Sequence, residues 1–331
     1  MISRRSILLG TLAVGAAAGL AACGKPQPEA VADGKLTVGL TFIPNVQFSP
    51  FYVGVKEGLF AKHGLDVTLR HHGQQEDLWG AVLGGQEDIV FASADEAMVA
   101  KAGGQDLRAF ATAYQTYALN VMGGEPAALG ANPGLDVLKG ATLGIPGHFG
   151  SSYYAALCAI HEAGLTEADV ELVDIGFTTL SALAAKQVEY AMGFVNNEGV
   201  QLKNQNIASV SIPVFDPASP RLVGPSLIAP GTKVPEDVLK AVALGMQEAE
   251  EAIVADPAVA LDATAEHVPA MAEKEQRATA ELVLAATSDL WKRDGEVTVA
   301  IDTAAFERMG EFLLQAGIID AVPADPYLTV L

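Results

Sequence analysis

From Lys35 onward the chain repeats one unit, a short apolar run followed by a helical stretch, and this alternation restricts the fold more than any other feature. Residues 36–42, 66–71, 88–92 and 107–114 read as strands. Between them helices are expected at 50–62 (stopped at Gly64), 77–83 and 94–102 (closed by Gly103 and Gly104). A second series begins after Tyr117, with strands at 141–145, 170–175, 190–194 and 209–214 and helices at 151–163, 180–186 and 196–203. Such alternation argues for βαβ units, and so for an α/β fold on mostly parallel sheets. Past Pro220 the chain reads as helical almost to its end, over 235–255, 257–267, 272–291 and 303–316, and adds no sheet. These helices pack most simply against the first series. The expectation is therefore two parallel-sheet lobes, one discontinuous (35–117 with 218–331) and one continuous (118–217). Two crossovers, near Tyr117 and Pro217, join them across a cleft. A chain of 331 residues is also longer than one core usually organises.

Ahead of the alternation, residues 1–22 carry Arg4 and Arg5 and then an apolar run from Ile7 to Leu20 that is interrupted by glycines. A membrane-spanning helix needs about 20 apolar residues, so this run reads as a signal peptide. Ser3-Arg4-Arg5-Ser6-Ile7-Leu8 looks like a twin-arginine export signal. Leu20-Ala21-Ala22-Cys23 resembles a bacterial lipobox, in which Cys23 would carry the lipid and become the new N-terminus. Residues 23–34 are then a polar, proline-bearing tether. Lys and Arg number 20 against 40 Asp and Glu, a formal net charge of −20. That balance argues against nucleic acid, whose phosphates need a basic footprint. Cleavage before Cys23 would remove two arginines and no acid, so lipid rather than surface charge would hold the chain to a membrane. Cys158 is the one other cysteine, which excludes a disulfide framework and a cysteine-built metal site. It lies on an apolar helical stretch and reads as core.

In open parallel sheets, ligands sit beyond the strand C-termini. After the first strand come Asn45, Gln47 and Phe48; after the third, Ser93, Asp95 and Glu96; after the fourth, Tyr114, Gln115 and Tyr117. In the second series His148, Phe149, Gly150 and Ser151 precede a helix, and Phe194, Asn196, Asn197 and Glu198 follow a strand. Aromatic faces can stack a planar ligand, and amides and carboxylates can accept from ring donors. An anion could use the helix start at 147–152, but no Lys or Arg stands in these segments to pair with it. Taken singly, residues 93–96 and 196–198 are ordinary helix starts and 147–152 an ordinary tight turn. Their convergence on one cleft is what carries a binding role. His71 and His72 are adjacent in a strand and point to opposite faces, so no shared metal is expected, and no cofactor. The chain lacks G-x-S-x-G, a phosphate-binding P-loop, H-E-x-x-H and a dinucleotide fingerprint. His148 with Ser151 or Ser152 would need an orienting acid from the other lobe. A binding module is expected rather than an enzyme.

Phe42, Pro44 and Asn45, then Pro50-Phe51-Tyr52-Val53, Lys56-Glu57-Gly58-Leu59-Phe60 and Gly64-Leu65-Asp66-Val67, form a recognisable series. With Gly147-His148-Phe149-Gly150-Ser151-Ser152, Asn196-Asn197-Glu198 and the tail at 312–320, the chain resembles a known group from residue 36 to about 331. That group is the solute-binding lipoproteins of ABC importers for nitrate, sulfonates and thiamine precursors, related to thiamine pyrimidine synthase. The resemblance implies a periplasmic-binding-protein type II fold, an importer permease with its ATPase as partners, and attachment outside the bacterial cytoplasmic membrane. It also implies that Asn45, Asp95, Tyr114, Phe149, Ser151, Asn197 and Glu198 border the ligand. The Asn-Asn-Glu segment and the Gly-x-aromatic-Gly turn are most similar to branches carrying thiamine-precursor pyrimidines or flavins. Phe48 stands where pyrimidine binders commonly have His, and Gly199 where Pro is usual, which leaves a flavin or another flat heterocycle open. The alternatives are a sulfonate or other organic anion, a pyrimidine-forming enzyme (whose cysteine-rich motif is absent here), and a structural lipoprotein with an empty cleft.

Overall fold

The computed structural model describes residues 34–73, 76–130 and 132–331. The signal peptide, the lipid attachment at Cys23 and the tether up to residue 33 lie outside the described residues. Among the described residues, ten strands build two five-stranded sheets: β1 (Lys35–Leu40), β2 (Asp66–His71), β3 (Ile89–Ser93), β4 (Leu107–Thr112), β5 (Leu119–Gly123), β6 (Thr142–Ile145), β7 (Glu171–Asp174), β8 (Tyr190–Phe194), β9 (Val210–Pro213) and β10 (Pro225–Pro230). The first sheet has the order β2-β1-β3-β10-β4 and the second β7-β6-β8-β5-β9.

Each sheet is mixed rather than parallel throughout. β10 runs antiparallel to β3 and β4, and β5 antiparallel to β8 and β9. Both are the first strand after a crossover. The chain leaves the C-terminal edge of one sheet and enters the other from the same cleft side, so the entering strand must run against its neighbours. The register shows this directly. Leu119 opens β5 opposite Phe194, the last residue of β8, and Pro225 opens β10 opposite Ser93, the last residue of β3.

These two strands correct the expectation from sequence. No strand was expected at 119–123, and the chain beyond Pro220 was expected to add no sheet. In fact β10 lies inside the first sheet, and a small hairpin pairs Lys292–Arg293 with Glu296–Val297. Prolines bracket β10 at both ends, where a missing N–H is best tolerated. The helix expected at 50–62 is two pieces, Ser49–Lys56 and Leu59–Lys62, divided at Gly58, which takes a left-handed φ of 71°.

The long helix Glu236–Ala255 packs on the first sheet, its Leu239, Val242, Met246 and Ile253 joining Leu36, Val38, Leu40 and Phe51 in one core. The Thr303–Gln315 helix contributes Phe306, Met309, Phe312 and Leu313 to a second core, which also holds Leu119, Val121, Leu143 and Ile145. Beneath β1, Gly39 leaves room for the buried Glu87 carboxylate, which a β-carbon would strike. Glu87 accepts from Arg70 at 2.5 Å and from His72 at 2.8 Å. His71 instead turns its ring to Tyr52 and the Phe42 carbonyl, so the two histidines have no partner in common.

Candidate functional site

Both crossovers meet at the start of the Ala94–Ala102 helix, directly after β3. The backbone N–H groups of Ala94 and Asp95 donate to the carbonyls of Gly224 (2.9 Å) and Val223 (3.1 Å) on the second crossover. The Asp95 carboxylate accepts the Tyr117 hydroxyl from the first crossover at 3.0 Å. Asp95 is fully buried, and that burial pushes its pKa up to about 6. It thus fastens the two connections together where they meet. Gln115, also after β4, turns away from this junction toward the C-terminal hairpin, donating to the Thr298 carbonyl at 2.8 Å and accepting from Arg293 at 3.3 Å.

Among the contacts that join residues 118–217 to the rest of the chain, three lie beside these strand ends. In the first, Glu96 accepts the Ser151 backbone N–H at the N-terminus of the Gly150–Glu162 helix. Burial, and then the neighbouring Asp95 charge, raise the Glu96 pKa to about 8. In the second, Asn196 donates from one Nδ2 to the Tyr114 hydroxyl oxygen at 3.2 Å and to Thr287 Oγ1 at 2.8 Å. Gln47 donates to the same Tyr114 oxygen at 3.5 Å, and Asn45 Oδ1 steadies Gln47 by accepting its backbone N–H at 3.1 Å. Burial pushes the Tyr114 phenol up to about 12, so it stays neutral. In the third, the Phe42 and Phe177 rings meet edge to face at 4.8 Å. Asn196 is buried, yet its Oδ1 has no hydrogen-bond partner among the described residues.

The structure thus brings Asn45, Gln47 and Tyr114 to one seam, and Ser151 and Gly150 to another. Phe194 packs between the two main cores, close behind the Asn196 turn. Phe149 is 55% exposed at the rim, folded over Gly147. Other expected residues point elsewhere. Phe48 is buried in the first core with its ring edge to face on Phe91 and His71. His148 is exposed and pairs with Asp174 at 3.0 Å within its own lobe. Asn197 and Glu198 are engaged with each other: Glu198 accepts from the Phe194 backbone at 2.9 Å and from Asn197 at 3.0 Å, and burial raises its pKa. Glu96, Asn196 and Tyr117 stand in the same strand-end segments, beside the residues that the resemblance sets against the ligand. Phe177 and Thr287 carried no sequence signal, since one follows an ordinary strand and the other lies inside a helix.

Residues 45–260 match the family model described as NMT1/THI5 like. The chain belongs to this family. A riboflavin-binding protein, RibY of Chloroflexus aurantiacus, is 28% identical over 300 residues, which is 88% of this chain and 83% of the relative. The alkanesulfonate-binding protein SsuA of Xanthomonas axonopodis pv. citri, bound to MOPS, superposes with a TM-score of 0.66 at 15% identity, over 89% of this chain and 98% of that one. The desulfurization enzyme DSZB does so with a TM-score of 0.55 at 13% identity, over 88% and 94%. At such identities the likeness is one of fold, the periplasmic-binding-protein fold, consistent with the two mixed sheets of this NMT1/THI5-like chain. Among the described residues no helix is long and apolar enough to cross a membrane.

Proposed function

We propose that this chain is the solute-binding component of an ABC importer, capturing a flat, uncharged aromatic heterocycle of the flavin or pyrimidine type by lobe closure. The lobe of residues 35–117 and 218–331 closes on that of 118–217, about the hinge that Asp95 fastens. One observation carries the ligand class: the seam between the lobes is built from amides and a neutral phenol with aromatic rings beside them, and it holds a buried acceptor, Asn196 Oδ1, without a partner. Buried acceptors are nearly always satisfied, and a ring N–H or amino group would satisfy this one. The riboflavin-binding relative supports the same class. The chain acts as a carrier and does no chemistry. Export with lipid attached at Cys23 would keep it beside its permease.

Titrating riboflavin into the purified chain while following its melting temperature tests the reading. At a hundredfold excess over Kd, a ligand held by the folded form alone adds about 2.7 kcal/mol of stability. Asn196→Ala should weaken that binding roughly tenfold, a loss of about 1.4 kcal/mol. No shift with riboflavin or with a hydroxymethylpyrimidine would sink the heterocycle, and product formed from a precursor would sink the carrier role.

A further inference from the structure

The Gly150–Glu162 helix begins directly after β6 with its N-terminus at the cleft, and Phe149 at its N-cap gives no side-chain bond to the free amides. A 13-residue helix gathers partial positive charge at that end, where such amides take an anion or another acceptor oxygen. Here the acceptor comes from the opposite lobe. Glu96, in the first turn of the Ala94–Ala102 helix, reaches across and accepts the Ser151 N–H, with only 8% of the residue exposed. A β-carbon on Gly150 would lie 3.6 Å from the same Glu96 oxygen, so the carboxyl group sits closely against the turn. The titratable groups facing it are Asp95 on its own helix, Tyr117 on the first crossover and Tyr154 one turn along the opposing helix. None of them is cationic.

We propose that Glu96 is a specificity-determining residue: its carboxyl group occupies the amide that a sulfonate or phosphate head would need, so the closed cleft admits uncharged ligands and rejects anionic ones. The proposal rests on reading this cleft as the ligand site. An ordinary cap comes from the adjoining turn and persists whatever the lobes do. This one forms only when the lobes meet, so an anion at Ser151 would compete directly with closure. Occupancy, rather than charge, sets the selection, because the group blocks the amide in either protonation state.

Calorimetric titration with methanesulfonate and, separately, with riboflavin tests it on the full purified chain and on Glu96→Ala, Glu96→Asp and Glu96→Gln. Wild type should give no methanesulfonate binding. Glu96→Ala vacates the amide and should bind methanesulfonate at least tenfold more tightly. Glu96→Asp retreats by one methylene, keeps the polarity of the site should Ala fail to fold, and should gain by a smaller factor. Glu96→Gln still offers an acceptor oxygen and should behave as wild type. Methanesulfonate bound equally by wild type, or no gain in folded Ala or Asp variants, or an equal gain in Gln, would overturn the proposal. The riboflavin arm separates the two readings. Riboflavin binding with no sulfonate gain removes the role of Glu96 alone, whereas sulfonate gain without riboflavin binding removes the heterocycle alone.

Discussion

Glu250 sits at 0% exposure in the middle of the Glu236–Ala255 helix, and neither carboxylate oxygen has a hydrogen-bond partner among the described residues. Burial, with a smaller contribution from Glu251, holds its pKa well above the carboxylate range. The sign of the consequence is fixed. In the unfolded chain Glu250 ionises near 4.3, whereas in the fold it keeps its proton, so folding binds a proton over the interval between. Its contribution is best below the unfolded value and is lost as pH rises toward the folded value. Glu250→Met keeps the volume and removes the polar group, so the variant should gain about 1–3 kcal/mol at pH 8 and much less at pH 4. Urea denaturation at both pH values measures this, and an equal gain at the two would refute it. Tyr114, Gln47 and Asn45 could be placed from strand ends, because position along a strand fixes which edge a residue reaches. Direction could not be read: Phe48 turns into the core, Gln115 turns toward the hairpin segment, and the turn at 195–197 presents Asn196 to Tyr114 while Asn197 bonds Glu198 and Gln201.

At the level of elements, packing around the Leu59–Lys62 turn sets how closely the helices approach. The Phe60 ring is 1% exposed, and a β-carbon added at Gly54 on Ser49–Lys56 or at Gly245 on Glu236–Ala255 would overlap it. Two glycines on different helices thus form the slot for one ring. Gly245→Ala would gain about 1 kcal/mol in helix propensity at an exposed position. Here the overlap with a close-packed ring should dominate, giving a net loss of about 1–3 kcal/mol in urea denaturation. Adding Phe60→Leu should make the alanine less costly than it is alone, and strict additivity of the two changes would show that the slot does not couple them. The elements also show why two strands escaped the sequence. β5 and β10 are short apolar runs that follow crossovers and end in Gly or Pro, local features shared with loops. Their strand character comes from partners far away in sequence, β8 and β9 for one and β3 and β4 for the other. The βαβ units beside them were legible because hydrophobic period and stop signals are local, as with Asp66–His71, Ala94–Ala102 and Tyr190–Phe194.

For the whole molecule, one of the two carboxyl groups at the start of the Ala94–Ala102 helix should make lobe closure depend on pH. The Asp95 carboxylate accepts from Tyr117 and its backbone N–H donates to Val223, both on the connections themselves, so opening the cleft would leave these bonds in place. Glu96 differs, because its carboxyl group bonds a backbone N–H of the opposing lobe. With the lobes apart that carboxyl group loses the Ser151 N–H and part of its burial, and its pKa falls toward the ordinary glutamate range, while the Asp95 charge beside it still acts to raise it. With the lobes together it stands at about 8. Closure therefore takes up a proton between those values, at most about 1.4 kcal/mol of bias for each pH unit. The closed form is favoured as pH falls and loses that advantage as pH rises toward 8, beyond which nothing further changes. The phenols of Tyr117 and Tyr154, both raised by burial, remain neutral throughout and do not counter the trend. Small-angle scattering of the ligand-free chain should thus give a larger radius of gyration at pH 9 than at pH 5. Glu96→Gln, which accepts the Ser151 proton without titrating, should give nearly the same radius at both. A pH-independent radius in wild type, or an equal expansion in the glutamine variant, would mean that other contacts between the lobes, the Tyr114–Asn196 seam and the Phe42–Phe177 pair among them, set the closure, with Glu96 only a passenger between them.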